Sequence, residues 1–239
     1  MGTTVLKMNT AFISQLQNPL VVSAGLIGYW SFNGGTTTTM YDYSGNNNHG
    51  TVVGSPTKVS GILGTALSFN GTDTYVNLGN FLSGVTQFTF VTWVKPTILE
   101  DWKGIIAKYI DDNHCVALQT NANGNISLDV DNTAAGSNYG RTSTVNLTTG
   151  SWYHIAMVYN GEGATNDDRV KLYVNSITSS ITFLGNITSS TFTSTASVVV
   201  GTLNTSNLQT LSGAVDEIRI YNRTLSPSEI TTLYNTRGT

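Results

Sequence analysis

Apolar and polar residues alternate one by one along several segments of this 239-residue chain. In residues 126–130 the apolar side chains occupy every second position, and residues 170–174 repeat the pattern. A period of two is typical of β-strands with one buried face. Turn-forming pairs such as Asn70-Gly71 separate these runs. The pattern predicts about a dozen strands, too many for one flat sheet, so we expect two packed antiparallel sheets.

Two longer runs, residues 88–94 and 152–159, are apolar at odd and even positions alike. Such runs are typical of central strands that have the core on one face and a covering segment on the other. Trp30, Trp93 and Trp152 all lie in strand-like segments. We therefore expect these three tryptophans in the core.

The sequence predicts one helix, close to the C-terminus. Pro227 follows Ser226, and Glu229 stands three positions after the serine. This spacing predicts a capping box, in which the Ser and Glu side chains bind backbone N–H groups reciprocally, with Pro at the first helical position. The apolar side of this short helix would consist of Ile230, Leu233 and Tyr234.

Charge and cysteine content exclude several classes of protein. Charged residues make up 10% of the chain, whereas soluble domains usually carry about a quarter. The net charge is −3 and no segment concentrates Lys or Arg, so we expect no nucleic-acid partner. Cys115 is the only cysteine, which excludes an internal disulfide framework and a cysteine-based zinc site. Its apolar neighbours, Val116 and Leu118, indicate a small core residue.

Residues 1–24 differ from the rest of the sequence. Apolar residues are interleaved with Thr, Asn and Gln there, and Asn18-Pro19 interrupts the segment. Its apolar runs are shorter than the roughly 7–15 residues of a signal-peptide core and the roughly 20 of a membrane span. We expect no membrane insertion, but an apolar arm that docks on its own domain or on a neighbouring subunit, as in a homo-oligomer. Residues 25–239 would form one domain.

Several motifs follow one another in a fixed order. Residues 25–32 read GLIGYWSF, 42–46 DYSGN, 64–71 GTALSFNG, 152–156 WYHIA and 216–226 DEIRIYNRTLS. Together they resemble the laminin G-like, concanavalin A-like lectin/glucanase family. The resemblance implies an all-β jelly-roll sandwich of two antiparallel sheets, frequent calcium binding, and roles in glycan binding, adhesion or surface structure. A fold of this kind does not by itself specify a ligand.

A cation site is predicted from two acidic residues far apart in the sequence. Strict alternation places Asp216 on the same strand face as Ile218 and Ile220, where an unpaired carboxylate is costly. Asp42 begins an oxygen-rich turn that includes Asn46, and the resemblance points to the same two segments. Because calcium prefers oxygen ligands, we expect structural Ca²⁺ at Asp42, Asn46 and Asp216. The alternative is an Asx-turn at Asp42, with Asp216 bound to backbone N–H groups.

A ligand site is predicted in the connections between strands. Trp102 lies in a charged connection between predicted strands. The family that the sequence resembles does not require a tryptophan there. An exposed ring at this position could stack against a sugar. The alternative is that Trp102 folds back over the sheet edge. The candidate ligand-binding residues are Trp102, Tyr109, Asp111, Asp112, Asn113 and Tyr139.

The sequence favours a protein that is not an enzyme. Glycosidases of related fold use two carboxyl groups about 5 to 9.5 Å apart. Asp129 and Asp131 alternate on one predicted strand but precede a turn, and Glu229 belongs to the helix cap. No Ser or Cys is placed with a His in a recognisable nucleophile motif.

The function expected from these features is a non-catalytic, lectin-like structural or binding protein. Low charge, richness in Thr, Asn and Gly, and the arm at residues 1–24 favour a phage or viral protein on the virion surface, a decoration or fibre type. Its partners would be a glycan and other virion or surface proteins bound through the arm. The first alternative is a bacterial carbohydrate-binding adhesion module, extracellular or on the cell surface. A glycoside hydrolase is the more distant one.

Overall fold

The computed structural model describes residues 22–132, 139–142, 145–206 and 209–236. These residues form seventeen β-strands and two short helices. The strands are β1 Leu26–Trp30, β2 Thr39–Met40, β3 Gly50–Val53, β4 Thr57–Ser60, β5 Thr65–Asn70, β6 Tyr75–Gly79, β7 Gln87–Pro96, β8 Lys103–Asp111, β9 His114–Thr120, β10 Ile126–Asn132, β11 Tyr139–Thr142, β12 Tyr153–Asn160, β13 Val170–Val174, β14 Ile177–Ser179, β15 Ile181–Leu184, β16 Val198–Val200 and β17 Ser212–Tyr221. The helices are α1 Asn166–Arg169 and α2 Pro227–Asn235. Neither of these two helices has the length and apolar character that crossing a membrane requires.

The strands form two antiparallel sheets. Sheet A has the order β14-β13-β12-β7-β17-β5-β4, and β1 pairs with β17 on the edge that β5 also uses. Sheet B has the order β15-β11-β10-β9-β8-β16-β6-β3-β2. The predicted two-sheet sandwich with a short C-terminal helix is confirmed. The strand count exceeds the expected dozen because several strands, such as β2 and β14, are only two or three residues long.

One large apolar core lies between the sheets. The predicted alternation in residues 126–130 and 170–174 is confirmed, since the apolar positions of both segments are buried in this core. Trp30 is also fully buried there. Removal of these side chains from water is the main favourable contribution to folding.

The two doubly apolar runs form the centre of sheet A, as predicted. Strands β7 and β12 pair in register along eight residue pairs. Their outer side chains, which include Val91, Ala156 and Val158, pack with Ile230 and Leu233 of helix α2. Helix α2 is therefore the segment that covers the outer face of sheet A.

Helix α2 begins as its sequence predicted. The Ser226 hydroxyl accepts from the Glu229 backbone N–H, and the Glu229 carboxylate accepts from the Ser226 backbone N–H. Arg223 pairs with the same carboxylate at 2.6 Å. Tyr234 stacks on Trp93 with ring centroids 5.6 Å apart and planes inclined by 19°. This stacking fixes the end of the helix on the sheet.

Of the predicted core residues, Trp93 and Cys115 are confirmed as buried, and Trp152 requires correction. Trp152 is half-buried and precedes the first residue of β12, so its prediction as a core residue is wrong. Trp93 is buried, but beneath helix α2 rather than between the sheets. Cys115 is buried in a small cluster with Ala107, Ala117 and neighbours on sheet B that is separate from the large core.

Strand β17 contains a β-bulge that the sequence did not predict. Glu217 has φ of 54°, in the left-handed region, and the register against β7 shifts between Asp216 and Arg219. As a result Val215 and Ile218, three positions apart, both lie in the large core. The strict alternation predicted for this strand is wrong, because a bulge inserts an extra residue into one strand. Asp216 is nevertheless fully buried.

Candidate functional site

The outer face of sheet B carries a pocket, which we call the sheet B pocket. Its volume is about 330 Å³. Val116 and Leu118 of β9 point into the large core, so the alternate residues of that strand point outward, as the period of a strand requires. The residues that line the pocket are Trp102, Tyr109, Asp112, Cys115, Gln119, Asp129, Leu203 and Gln209.

Two aromatic side chains line the sheet B pocket. Trp102 lies in the turn before β8, where its φ of 61° places the backbone in the left-handed region. Its side chain is half-buried and forms part of the pocket wall. Tyr109 lies near the end of β8, and its hydroxyl donates to Asp112 Oδ1 at 2.7 Å. Aromatic faces of this kind offer a large apolar contact with a polar end.

The floor of the pocket contains a buried amide with one unsatisfied atom. Gln119 has only 1% of its surface exposed, and its Nε2 donates to Asp129 Oδ2. Gln119 Oε1 has no hydrogen-bond partner among the described residues. A buried polar atom without a partner costs about 1–3 kcal/mol, and a bound donor removes that cost.

A second unsatisfied amide lies next to the first on sheet B. Asn121 stands two positions after Gln119, and its Nδ2 donates to Ser127 Oγ at 2.6 Å. Ser127 is itself the cross-strand partner of Gln119. Asn121 Oδ1 has no hydrogen-bond partner within the described part of the chain. Two neighbouring amide oxygens, on Gln119 and Asn121, are thus buried without a described hydrogen-bond partner.

A further wall of the pocket comes from the segment between β16 and β17, which lies beside β8. Backbone N–H groups of Gly104 and Leu203 both donate to the Gln209 carbonyl at 3.1 Å, and the Gln209 side-chain oxygen accepts from Asn204 at 3.1 Å. A Cβ at Gly104 would collide with the backbone of Thr202 and Leu203. Only glycine at position 104 lets this wall approach β8 closely.

Two carboxylates, those of Asp112 and Asp129, line the pocket. Burial, the hydrogen bond to Asp112 and its charge raise the pKa of Tyr109. Burial, followed by the charge of Asp129, raises the pKa of the Cys115 thiol well above its usual value. Cys115 therefore remains a neutral thiol and is a poor nucleophile.

The structure brings together three of the six predicted ligand-binding residues, Trp102, Tyr109 and Asp112. The sequence left open whether the Trp102 ring is exposed or folded back over the sheet edge. In the structure the residue is half-buried, which is intermediate between these two alternatives.

The other three predicted residues lie elsewhere or outside the description. Asp111 and Asn113 share the β8–β9 hairpin with Asp112, but Asp111 Oδ1 accepts from the Asn113 backbone N–H at 2.9 Å and contacts His114 Nδ1 at 2.8 Å. They do not line the described pocket. Tyr139 pairs in register with Asp129, and its side chain lies outside the described residues.

Sequence reasoning did not assign a ligand-binding role to Gln119, Asp129, Leu203 or Gln209. One signal was present: Gln119 lies one position after Leu118, on the face of β9 that the alternation points away from the core.

The residues predicted to bind calcium occupy two hydrogen-bonded settings. Asp42 accepts from the backbone N–H groups of Tyr29, Ser44 and Asn48 and from the Ser44 hydroxyl, at 2.8–2.9 Å. These four bonds use the four acceptor positions of a carboxylate. Asn46 lies in the same turn and donates to the backbone carbonyls of residues 26 and 27.

Asp216 is held by a different segment of the chain. Its Oδ2 accepts from the backbone N–H groups of Ile62 and Leu63, and its Oδ1 accepts from that of Glu217. Burial, with the charge of Glu217 second, raises the pKa of Asp216 to about 8. The bonds at Asp42 and Asp216 are those of the alternative interpretation, and the described residues contain no cluster of three His, Cys, Asp or Glu that could hold a metal. The calcium site stays a prediction.

Comparisons with solved structures support the same fold. Domain 4 of AbnA, a GH43 extracellular arabinanase from Geobacillus stearothermophilus solved in complex with arabinotriose, is 27% identical over 88% of this chain and 98% of that domain, with a TM-score of 0.69. The binding domain of Paraclostridial Mosquitocidal Protein 1 is 18% identical over 88% of this chain and 52% of that one, with a TM-score of 0.63. A Trypanosoma rangeli sialidase in complex with sialic acid is 15% identical over 94% of this chain and 38% of that one, with a TM-score of 0.62.

The fold is thus shared by binding domains and by parts of carbohydrate-active enzymes, and this chain spans only part of the last two proteins. No curated protein matches the chain in sequence. A sequence model of the Concanavalin A-like lectin/glucanases superfamily matches residues 70–231, which is more than half of the chain. The chain therefore belongs to the concanavalin A-like lectin/glucanase superfamily, as its motifs, its two-sheet sandwich and its structural neighbours agree.

Proposed function

We propose that this protein is a non-catalytic carbohydrate-binding protein whose sugar site is the sheet B pocket. The observation that carries the proposal is the buried Gln119 Oε1, unsatisfied in the described structure, in a pocket whose wall contains Trp102 and Tyr109. A sugar supplies what each of these groups requires. Its hydroxyls donate to the amide oxygen, and its C–H face packs against the aromatic rings.

The arabinanase domain supports an oligosaccharide as the ligand class. That domain is similar to this chain over nearly its whole length and was solved with arabinotriose. Arabinotriose is therefore a rational first ligand, and an array of other oligosaccharides extends the search.

The test measures dissociation constants for the full chain and for two variants. We expect Trp102→Ala and Gln119→Ala each to weaken binding about tenfold, as truncation of a central contact residue does. Tyr41→Ala is the matched aromatic control, because Tyr41 is 41% exposed and does not line the described pocket. Binding that both pocket variants retain in full would remove the sheet B pocket as the site.

A glycoside hydrolase is the second candidate, because Asp112 and Asp129 line one pocket. Two carboxyl groups beside a bound sugar are the minimum that glycosidase chemistry requires. The proposed binding function predicts no new reducing ends when the protein is incubated with an oligosaccharide that it binds. Release of reducing ends that Asp129→Asn abolishes would instead establish a hydrolase.

The biological setting forms a finer part of the proposal. We propose a virion-surface protein, supported by the low charge of the chain and its richness in Thr, Asn and Gly. A bacterial carbohydrate-binding adhesion module is the alternative, and the likeness to a domain of a bacterial extracellular enzyme favours it. Purified particles that contain the protein would support the first setting, and its presence on bacterial cells without particles would support the second.

A further inference from the structure

We propose that the sheet B pocket is one part of a longer groove, which runs across the strands of sheet B and binds a linear oligosaccharide rather than a single sugar. A second pocket of about 130 Å³ adjoins the sheet B pocket. We call it the β6 pocket, because Asn77 of β6 lies in its wall. This inference rests on the proposed function and specifies the length and direction of the ligand.

The two pockets adjoin each other at two shared side chains. Tyr109 and Leu203 line both of them. Both residues pack on the small outer cluster of sheet B that contains Ala107 and Ala117, and these two alanines are fully buried. A sugar chain that passes over Tyr109 and Leu203 therefore enters both pockets.

The register of the strands shows the direction of the groove. Directly opposite residues of paired strands share one face of a sheet, and one such row crosses strands β6, β16, β8, β9 and β10. The row consists of Asn77, Val199, Ala107, Ala117 and Asp129. Since neighbouring strands are about 4.8 Å apart, the row is roughly 19 Å long. The β6 pocket lies at its Asn77 end, and the sheet B pocket lies at its Asp129 end.

One segment of the protein forms a wall along both pockets. Asn204 and Thr205 line the β6 pocket, and Gln209 lines the sheet B pocket. The Asn204 Nδ2 donates to Gln209 Oε1 at 3.1 Å. This hydrogen bond joins the two parts of the wall, so a bound sugar chain would lie beside one continuous surface.

The β6 pocket offers hydrogen-bonding groups that suit sugar hydroxyls. Asn77 Oδ1 accepts from the Gly79 backbone N–H at 2.9 Å, which leaves the Nδ2 of the same amide to donate to a ligand. Ser197 and Thr205 also line this pocket, and a hydroxyl can both donate and accept. These three side chains are uncharged. They therefore suit a neutral, hydroxyl-rich sugar chain.

The groove continues beyond the β6 pocket. Thr51 of β3 is the next residue of the row, since it pairs with Asn77, and it is exposed. A sugar chain that is longer than the two pockets can therefore extend over β3.

The experiment measures affinity as a function of ligand length. Isothermal titration gives dissociation constants of the protein for linear arabino-oligosaccharides, from arabinobiose to arabinohexaose. We expect arabinotetraose to bind about tenfold more tightly than arabinobiose, because only the longer sugar contacts both pockets. Affinity should change little beyond the length that fills both pockets. If another sugar of the array binds in place of arabinose, its linear oligomers form the series.

Variants of the β6 pocket locate the gain in affinity. Asn77→Ala combined with Ser197→Ala removes two hydrogen-bonding groups that do not line the sheet B pocket. This double variant should weaken the binding of arabinotetraose about tenfold and that of arabinobiose far less. Asn123→Ala is the matched control, because Asn123 is exposed and lines neither of the two pockets. Melting temperatures check the fold, and Ser197→Ala alone replaces the double variant if the latter unfolds.

The outcomes separate the groove from the proposed site. Equal affinity for arabinobiose and arabinotetraose, with both weakened by Trp102→Ala, would overturn the groove and leave the proposed site intact. A gain with length that the double variant retains in full would also overturn the groove, because the additional rings would then bind elsewhere. Absence of binding to every sugar tested would reject the proposed function and this inference together.

Discussion

The Tyr29 hydroxyl donates to both carboxylate oxygens of Glu217, at 2.9 and 3.0 Å, across 188 residues of sequence. Arg219 completes this buried group, with its Nη2 2.8 Å from Glu217 Oε2 and its guanidinium 4.1 Å from the centroid of the Tyr29 ring. All three residues are 3% exposed. The group ties the first strand of sheet A to the β-bulge of β17.

We expect Glu217→Gln to destabilise the fold strongly. The variant keeps the size of the side chain but leaves the Arg219 charge buried without its partner, and breaking a buried pair in this way typically costs about 3–5 kcal/mol. For a chain of this length each kcal/mol lowers the melting temperature by about 2–4 °C. Calorimetry would measure the change. Glu162→Gln is the exposed control and should melt like the parent, and equal melting of both variants would contradict the role given to Glu217.

Stability should fall in acid through His154. This side chain is 1% exposed, and burial, then the charge of Arg219, lowers its pKa to about 3. The unfolded chain gains this proton near the usual value of about 6.5, so the contribution of His154 is present above pH 6.5 and is lost as the pH falls towards 3. His154→Phe, which keeps ring contact with Trp93 and Tyr234, should unfold with a flatter pH dependence between pH 6.5 and 4. Urea titrations at a series of pH values would give the free energy of unfolding of the parent and of the variant. If that free energy depends equally steeply on pH in both proteins, His154 is excluded as the titrating group.

Calcium binding at Asp42, Asn46 and Asp216 is the proposal that the sequence supports. Calcium that binds only the folded chain should raise the melting temperature with its concentration, and EDTA should reverse the shift. The observed bonds to Asp42 and Asp216 instead predict no response to either reagent. Asp216→Asn distinguishes the two cases. If Asp216 binds calcium, the variant should lose the calcium-dependent rise in melting temperature. If the carboxylate only accepts hydrogen bonds from N–H groups, neither the parent nor the variant should show such a rise.

The segment at residues 1–24 can be tested by truncation after residue 21. Residues 1–21 lie outside the described structure, but Val22 packs on sheet A, and its carbonyl accepts from the Tyr221 hydroxyl at 3.0 Å. Truncation after residue 21 therefore keeps the contact of Val22 with sheet A. If the arm assembles subunits, size-exclusion chromatography should show an oligomer that the truncated chain does not form. Equal elution of both proteins as monomers would reject assembly through the arm.

Local patterns in the sequence predicted the sandwich because they are set by neighbouring residues. The period of two, the turn pairs and the capping box at Ser226 each act within a few positions, and the structure confirms them. The prediction for Trp152 failed because strand β12 begins one residue later, at Tyr153. A run of apolar residues in the sequence does not show at which residue the strand begins.

The pocket could be predicted only in part. Trp102, Tyr109 and Asp112 stand out as aromatic or charged residues near the ends of β8, whereas Gln119 and Gln209 meet only through the pairing of distant strands. The bulge at Glu217 carries no local signal either, since a glutamate in the left-handed region is stabilised by Tyr29 and Arg219.

Strand β17 pairs with β7 along one edge, and β5 and β1 share the other. During synthesis, strands β1 and β5 therefore cannot complete their backbone hydrogen bonds until residues 212–221 have been made. A sheet that closes through such distant partners folds slowly, and its unpaired edges are open to association with other chains in the meantime. Production of the protein should accordingly benefit from low temperature or chaperones during translation, even though the finished domain is well packed.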